Sequence, residues 1–315
     1  MKLIIQIPCY NEEATLPVTL QELPREVSGF DTVEWLVVND GSRDNTEEIA
    51  RRHGVDHIVS LTWNQGLARA FLAGLDASVK LGADVIINTD ADNQYVAADI
   101  PALVAPILAG KADVVVGARP IDEITAFSPA KKLLQKLGSA VVRFVSKTRV
   151  PDAPSGFRAI SREAALRFNV FNEYTYTLET IIQAGQKGIA ITSVPVGVNR
   201  VLRPSRLVKS IPSYLRKSLF TIVRIFVVYK AFRFFMMVGL TLFGAGFLVG
   251  LRFLYYYVIG DGSGHVQSLI FASILLGVGF QTMLTAFLAD LLAVNRRLME
   301  DVQYRVKKLE SPGRE

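Results

Sequence analysis

Short apolar runs that end in polar clusters alternate with helical stretches through the first 120 residues, and this alternation constrains the fold more than any other feature. Five runs have the length and apolar content of buried strands, and the segments between them have helical periodicity. Strands that alternate with helices predict a parallel sheet covered on both faces. The predicted strands are 2–7, 34–39, 55–61, 83–89 and 113–118, and the clearest helices are 14–23, 67–81 and 100–108.

The fourth predicted strand runs directly into two acids, Asp90 and Asp92, which are separated by one small residue. In sheets of this kind, ligands bind beyond the carboxyl ends of the strands. An Asp-X-Asp at that position offers hard oxygen ligands to a divalent cation and leaves places for water and a substrate diphosphate, which suits Mg²⁺. Taken alone, the same pattern is also explained by ordinary turn chemistry.

Three further polar clusters follow other predicted strands, and they contain Glu12, Asp40 and Arg119. Each has a plainer explanation by itself: Glu12 begins a helix, where the helix dipole favours an acid, Asp40 starts a turn, and Arg119 is a solvated loop residue. Because all of them fall at one predicted sheet edge, they jointly predict a pocket for a nucleotide diphosphate. No Gly-X-Gly-X-X-Gly and no Walker-type motif follows the first strand, which disfavours dinucleotide oxidoreductases and P-loop enzymes.

The composition divides the chain into two parts. The 315 residues carry a net charge of +6, and the mean hydropathy of +0.30 is high for a soluble enzyme because apolar residues concentrate after about Leu219. The basic charge accompanies no aromatic-rich RNA-binding motif, so no nucleic-acid partner is expected. The single cysteine, Cys9, excludes an internal disulfide and a cysteine-based zinc cluster. No signal peptide is expected, because the chain opens in strand-like sequence.

Two long apolar segments, at about 232–258 and 268–294, are each long enough to cross the roughly 30 Å hydrocarbon layer of a membrane. The segment 207–231 mixes basic and apolar residues, which indicates a helix at an anionic membrane surface; the alternative is a core helix with a charged face. The loop between the spans has no Lys or Arg, whereas both flanks are basic. The positive-inside rule therefore predicts an integral protein of the cytoplasmic membrane with both termini cytoplasmic.

Five glycines are candidates for close helix packing: Gly244, Gly246, Gly250, Gly277 and Gly279.

Six motifs over the first 210 or so residues carry a family resemblance: IPCYNEE (7–13), VNDGSRDNT (38–46), NQGLARA (64–70), DADNQ (90–94), GAR (117–119) and SGFRA (155–159). With them the chain resembles family-2 glycosyltransferases of the GT-A fold, and more narrowly the polyprenyl-phosphate glycosyltransferases, such as dolichol-phosphate mannose synthases. The resemblance implies an α/β catalytic domain with a mostly parallel, Rossmann-like sheet over 1–206. After this domain we expect the interfacial helical segment 207–231, an α-helical two-span membrane domain over 232–294 and a basic cytoplasmic tail over 295–315.

The resemblance also assigns a site for a nucleotide-sugar donor, either a UDP- or a GDP-sugar. Asp90, Asp92 and Gln94 would bind Mg²⁺ or Mn²⁺, and Asp90, Asp92 and Arg119 would act in catalysis. Relatives usually carry His-Pro after the glutamine, where this chain has Tyr95-Val96. The implied donor-binding residues are Pro8, Tyr10, Glu12, Asp40, Asp90, Ala91, Asp92, Gln94, Arg119, Arg200 and Arg206.

The implied acceptor is a polyprenyl phosphate, undecaprenyl or dolichyl, held by Lys131 and Lys132, and Glu179 matches a site-facing acid of relatives. A lipid monophosphate has a second pKa of about 6, so it is largely dianionic at neutral pH and attacks the sugar without a general base. The implied reaction transfers one sugar with inversion, and relatives imply a homo-oligomer. The alternatives are a processive or other-acceptor membrane glycosyltransferase, disfavoured by the lack of a Gln-X-X-Arg-Trp-type motif, and a nucleotide-binding membrane scaffold without catalysis.

Overall fold

The computed structural model of this chain describes residues 1–120, 129–170, 176–199, 227, 230–260 and 263–311, and for 129–137 and 263 it describes the backbone alone. The chain forms two compact units. The first comprises Met1–Ser218 with Asp301–Glu315, and the second comprises Leu219–Glu300. The predicted interfacial segment 207–231 lies almost wholly outside the described residues.

The first unit contains a seven-stranded sheet with the strand order β3-β2-β1-β4-β6-β5-β7. The five predicted strands are confirmed to within two residues at each end. Neighbouring strands run parallel except that β6 is antiparallel to both β4 and β5, so the sheet is mostly parallel, as predicted. The strands are β1 (Lys2–Cys9), β2 (Thr32–Asn39), β3 (His57–Ser60), β4 (Val85–Asn88), β5 (Val114–Ala118), β6 (Arg158–Ser161) and β7 (Ile191–Pro195).

Apolar side chains bury both faces of the sheet. In β1, Leu3 and Ile5 lie in one core cluster and Ile4 lies in the other, because successive side chains of a strand point to opposite faces. In α3, Phe71 and Leu75 are buried at the four-residue spacing of an amphipathic helix. The helices of this unit are α1 (Leu16–Glu22), α2 (Thr46–Arg52), α3 (Leu67–Lys80), α4 (Ile100–Leu108), α5 (Pro129–Ser146), α6 (Arg162–Arg167) and α7 (Thr177–Lys187).

The strand register brings several strand ends to one edge of the sheet. Cys9, the last residue of β1, pairs with Asn39, the last residue of β2, and Asn88 at the end of β4 pairs with Gln6. The first residue of β6, Arg158, also pairs with Asn88, because β6 runs in the opposite direction. The loop that precedes β6 therefore reaches the same edge as the loops that follow β1, β2 and β4.

The second unit contains two helices that are long and apolar enough to cross a membrane: α8 (Ala231–Val258) and the first part of α9 (Val266–Glu310). Their most apolar windows have mean hydropathies of 2.1 and 1.8, and only 11% and 17% of these windows are buried. The core helices of a soluble protein would be mostly buried, so the exposure favours lipid as the surrounding solvent. Helix α9 continues without a break through the basic stretch after the second apolar segment.

Glycine lets α8 and α9 approach closely at some of the predicted positions. A Cβ at Gly279 would lie 2.5 Å from the backbone nitrogen of Phe243, and a Cβ at Gly246 would lie 2.8 Å from the Cβ of Leu275. Gly239 has similarly close neighbours and was not predicted. The prediction is wrong for the remaining three glycines: Gly244 and Gly277 have nothing within 4 Å, and Gly250 has only one ordinary contact.

Candidate active site

The DADNQ turn follows β4 and presents its two acids at the carboxyl edge of the sheet. Asn93 has a φ of 54°, in the left-handed region that Asn tolerates better than most residues, so the chain reverses tightly there. The backbone N–H of Gln94 donates to Asp92 Oδ1 at 3.3 Å, and the buried carbonyl of Ala91 accepts from the hydroxyl of Thr19 at 3.0 Å. As whole residues, Asp90 and Asp92 are half-buried.

The carboxylate of Asp90 lies in an environment that disfavours its charge. Burial of the group and the negative charge of Asp92 together raise its pKa to about 7, and the positive charge of Arg119 only partly offsets these two effects. No side chain or backbone N–H among the described residues donates a hydrogen bond to this carboxylate. An acidic group without such donors gains from a nearby cation.

This donor set fits a hard divalent cation. Mg²⁺ and its analogues are usually bound through one or two carboxylates together with substrate phosphates, not by a complete protein cage. Accordingly, the described part of the chain contains no cluster of three or more His, Cys, Asp or Glu residues suited to a metal. The carboxylate oxygens of Asp90 and Asp92 and the amide oxygen of Gln94 are the oxygen atoms that would bind such a cation.

The residues predicted to hold the nucleotide lie at the ends of β1 and β2. Asp40 is buried, and its carboxylate accepts from the backbone N–H groups of Gln65 at 2.7 Å and Gly66 at 2.9 Å, so it ties the end of β2 to the start of α3. Glu12 is also buried and accepts from the hydroxyl of Thr15 at 2.6 Å.

Pro8 and Tyr10, which are also predicted to bind the donor and lie at the end of β1, differ in exposure. Pro8 is a buried residue of β1, whereas Tyr10 is 38% exposed directly beyond that strand. Asp40 and Glu12 therefore shape the wall of this part of the site, and the aromatic side chain of Tyr10 provides an accessible surface.

Arg119, the residue that follows β5, is almost completely buried, and Asp152 is its hydrogen-bonding and ionic partner. Its Nε and Nη2 donate to the two carboxylate oxygens of Asp152 at 2.7 and 3.0 Å, and its backbone N–H donates to the same carboxylate at 3.2 Å. This bidentate pair fixes the guanidinium beside Asp90, where its charge acts on that carboxylate. The sequence predicted Arg119 but not its partner.

The loop 152–157 also lies at this edge, which the sequence analysis did not predict although it included part of the loop in a motif. Gly156 packs against Asp90, since a Cβ at Gly156 would lie 3.0 and 3.1 Å from the two carboxylate oxygens. The Gly156 N–H donates to the hydroxyl of Tyr95 at 2.9 Å, and its carbonyl accepts from Asn88 Nδ2 at 2.8 Å. The SGFRA motif identified this loop, but no local pattern indicated that its glycine contacts the acidic turn.

Several predicted residues lie outside the described part of the chain. Arg200 and Arg206 are among them, and for Lys131 and Lys132 the structure describes only a backbone within α5. Asn199, which precedes Arg200 in sequence, donates its backbone N–H to the carbonyl of Gln94 at 2.9 Å. Glu179 is buried in the first turn of α7.

Comparisons with known proteins agree with this fold. The model of glycosyl transferase family 2 matches residues 4–167, more than half of the chain. The chain is 28% identical over 218 residues to the undecaprenyl-phosphate mannosyltransferase of Micrococcus luteus, and the match covers 66% of this chain and 88% of that protein. It is also 28% identical over 215 residues to the UDP-N-acetylglucosamine–dolichyl-phosphate N-acetylglucosaminyltransferase of Methanococcus voltae, covering 60% and 82% respectively.

Solved structures show the same architecture. The glucosyl-3-phosphoglycerate synthase of Mycobacterium tuberculosis, in complex with Mn²⁺, UDP-glucose and phosphoglyceric acid, superimposes with a TM-score of 0.56 at 21% identity. The match covers 72% of this chain and 78% of that one. At this identity the likeness establishes the fold.

Proposed function

The chain belongs to glycosyl transferase family 2, and from this premise we propose that it transfers one sugar from a nucleotide-diphosphate donor to a polyprenyl phosphate at a membrane. The observation that carries the proposal is the Asp90–Asp92 pair at the carboxyl edge of the sheet, in a chain with two helices able to cross a membrane. Such a chain brings a water-soluble donor site and a lipid environment together. The names of the relatives from Micrococcus luteus and Methanococcus voltae support this acceptor class.

In the proposed donor site, Asp90, Asp92 and Gln94 would hold Mg²⁺ or Mn²⁺. When bound, the cation neutralises charge on the departing nucleotide diphosphate. Asp152 keeps Arg119 charged and oriented on the same side as Asp90. The nucleotide lies against the ends of β1 and β2, where Pro8, Tyr10, Glu12 and Asp40 are found.

In the proposed acceptor site, Lys131 and Lys132 bind the lipid phosphate, and Arg200 and Arg206 close over the donor. A phosphate oxygen attacks the anomeric carbon, the bond from that carbon to the diphosphate oxygen breaks, and its electron pair leaves with the nucleotide diphosphate, so the anomeric centre inverts. The phosphate dianion has no proton to lose, so no general base is needed. The three histidines of the chain contact other groups: Ile49, Glu34 and Tyr256.

The distribution of charge supports a cytoplasmic catalytic domain in the cytoplasmic membrane. Basic residues precede α8 and occupy the last turns of α9, whereas the loop 259–267 contains no Lys or Arg. The positive-inside rule places both flanks on the cytoplasmic side, where nucleotide sugars are available. We also expect self-association, and a native mass equal to one chain in detergent would exclude it.

The test is sugar transfer by the purified full chain in detergent. The protein would receive undecaprenyl phosphate, Mg²⁺ or Mn²⁺, and a panel of labelled UDP- and GDP-sugars, with chelator controls. A metal-dependent, organic-extractable and acid-labile product would establish the acceptor class and identify the donor in one experiment. Label that appears only in a polymer, or only on a water-soluble phosphate ester, would reject the lipid acceptor.

Two variants separate chemistry from folding. Asp92→Asn removes one carboxylate of the turn, so we expect transfer to fall at least about 100-fold while metal-independent nucleotide binding remains. Asp76→Asn removes an exposed acid of α3, which pairs with Lys80 four residues later, and we expect unchanged transfer. Equal transfer by the two variants would show that Asp92 has no part in the reaction.

A further inference from the structure

Two tyrosine hydroxyls, those of Tyr95 and Tyr176, lie beside Gly156, the glycine that contacts Asp90, and neither tyrosine belongs to the six motifs. Tyr176 is completely buried at the start of α7, and its ring stacks on Phe71 with a centroid distance of 3.8 Å and an interplanar angle of 7°. The ring is therefore held in one position, which fixes the direction of its hydroxyl.

The hydroxyl of Tyr176 lies beside the carboxylate of Asp90. A Cβ at Gly156 would lie 3.1 Å from the Tyr176 oxygen and 3.0 to 3.1 Å from the Asp90 oxygens, so these atoms surround one small space that the glycine leaves open. Any residue larger than glycine would push the two side chains apart. The absent side chain at position 156 is what permits the tyrosine and the aspartate to lie close together.

The hydrogen bonds of Tyr176 leave its proton available. Its oxygen accepts from Asn88 Nδ2 at 2.8 Å, and its own O–H reaches the carbonyl of Gly156 only at the long distance of 3.5 Å. Asn88 is itself held, because its Oδ1 accepts from Gln6 Nε2 at 2.8 Å. The nearby Asp90 carboxylate receives no hydrogen bond from any residue that the structure describes.

We propose that Tyr176 is a positioning residue for the metal site: when a divalent cation binds, the Tyr176 hydroxyl turns from the Gly156 carbonyl to donate to one oxygen of Asp90, and the other oxygen is left for the cation. Carboxylates that bind metals are usually held by hydrogen bonds from a second layer of residues, and losing one typically weakens metal binding about 10- to 100-fold. The inference rests on the proposed function, because it takes Asp90 as a metal ligand. It adds to that function a residue that never contacts substrate.

The test is the affinity of the full chain for Mn²⁺, measured by the paramagnetic resonance signal of free Mn²⁺, alone and with UDP or GDP. Tyr176→Phe removes one hydroxyl and keeps the stacked ring, so we expect Mn²⁺ to bind about 10- to 100-fold more weakly. The matched control is Tyr304→Phe, which also removes a bonded hydroxyl from this unit, the one that donates to Glu163 at 2.7 Å. A purely structural role would lower the unfolding temperature of both variants and leave their Mn²⁺ affinity unchanged.

A second pair of variants decides the question if Tyr176→Phe does not fold. Gly156→Ala places a methyl group between Tyr176 and Asp90, whereas Gly138→Ala places one where nothing lies within 4 Å. We expect only Gly156→Ala to weaken Mn²⁺ binding. If Tyr176→Phe or Gly156→Ala folds and binds Mn²⁺ as tightly as the wild type, the inference is overturned and the proposed function stands. If the wild-type protein itself binds no Mn²⁺, the metal site is overturned as well.

Discussion

Single buried charges determine how the acidic turn and its neighbouring loop behave. Arg158 is completely buried, and its guanidinium donates to the carbonyls of Ser155 and Ala153 and to the hydroxyl of Thr180. These partners are neutral, so this arginine shapes the loop that carries Gly156. Arg119, by contrast, has a carboxylate partner, and the two arginines therefore respond differently to substitution.

The first prediction concerns the partner of Arg119. Asp152→Asn leaves the buried guanidinium of Arg119 without its counter-charge, so we expect the full chain to lose about 3–5 kcal/mol of stability. For a unit of this size that corresponds to a fall in unfolding temperature of roughly 10 °C. Calorimetry or circular dichroism in detergent would measure it.

The control for this prediction is Asp301→Asn, which breaks an exposed pair with Arg305 one helical turn away. Exposed pairs of this kind contribute about 0.3–0.5 kcal/mol, so its unfolding temperature should barely move. Similar losses in both variants would mean that burial of the Arg119–Asp152 pair is energetically unimportant.

The second prediction concerns the proton on Asp90. Its pKa of about 7 means that the carboxyl is largely protonated at pH 6 and largely ionised at pH 8. A cation that binds the carboxylate must displace this proton, so Mn²⁺ binding should release about one proton at pH 6 and almost none at pH 8. Calorimetric titration in buffers with different ionisation enthalpies would count the protons.

The neighbouring charge offers a control for this titration. Asp92 is one of the causes that raise the pKa of Asp90, so Asp92→Asn should lower that pKa. Any Mn²⁺ that still binds to this variant would release less than one proton at pH 6. Proton release that does not change between pH 6 and pH 8 in the wild type would contradict an Asp90 ligand.

At the scale of elements, the insertion of β6 between β4 and β5 organises the site. Because β6 runs antiparallel to both neighbours, its preceding loop reaches the edge where the parallel strands end. Within that loop, Asp152 binds Arg119 and Gly156 packs against Asp90, so the loop connects these two site residues. A purely parallel sheet would bring only strand-ending loops to this edge.

The third prediction tests the packing of α8 against α9. Gly279→Leu would force a side chain into the backbone of Phe243, which a Cβ alone would approach to 2.5 Å, so we expect the helix pair to separate and the protein to lose stability in detergent. Gly277→Leu, two residues away in the same helix, meets open space and should be tolerated. The measurement is the monodisperse fraction after heating, and equal losses would refute the observed helix contact.

At the scale of the whole molecule, the residues of the candidate site and the two apolar segments belong to different compact units. The tail returns to the first unit: the Tyr304 hydroxyl donates to Glu163 at 2.7 Å, and Arg167 lies 5.1 Å from the Tyr304 ring. The first unit is therefore built from two separated parts of the chain. Removing the residues after Glu300 would expose the surface of α6 that Tyr304 covers.

The fourth prediction tests the topology. Cys9 is 2% exposed, so cysteines introduced at exposed sites can be labelled against a low background. We expect a membrane-impermeant maleimide to label Gln267→Cys, at an exposed position in the first turn of α9, in intact cells. It should label Glu310→Cys, at the end of α9, only after the membrane is opened, because the positive-inside rule predicts that the basic flanks stay in the cytoplasm. The reverse labelling pattern would place the catalytic domain outside.

The sequence alone determined the parts of this protein that depend on local patterns. Apolar runs predicted five strands to within two residues, and because parallel strands end at one edge, the positions of Asp40 and Asp90 predicted a common site. Apolar length predicted both candidate membrane helices. These features follow from burial and periodicity within one segment, which neighbouring residues reveal.

Only the tertiary structure decided which side chains act together within the site. Asp152 lies 33 residues from Arg119, and Tyr176 lies 88 residues from Asn88, so no periodicity connects either pair. The antiparallel direction of β6 brings the loop with Gly156 to Asp90, and that direction depends on pairing with two strands distant in sequence. Contacts of this kind arise because folding brings remote segments together, and their energy resides in buried hydrogen bonds and charges that exist only once the sheet has formed.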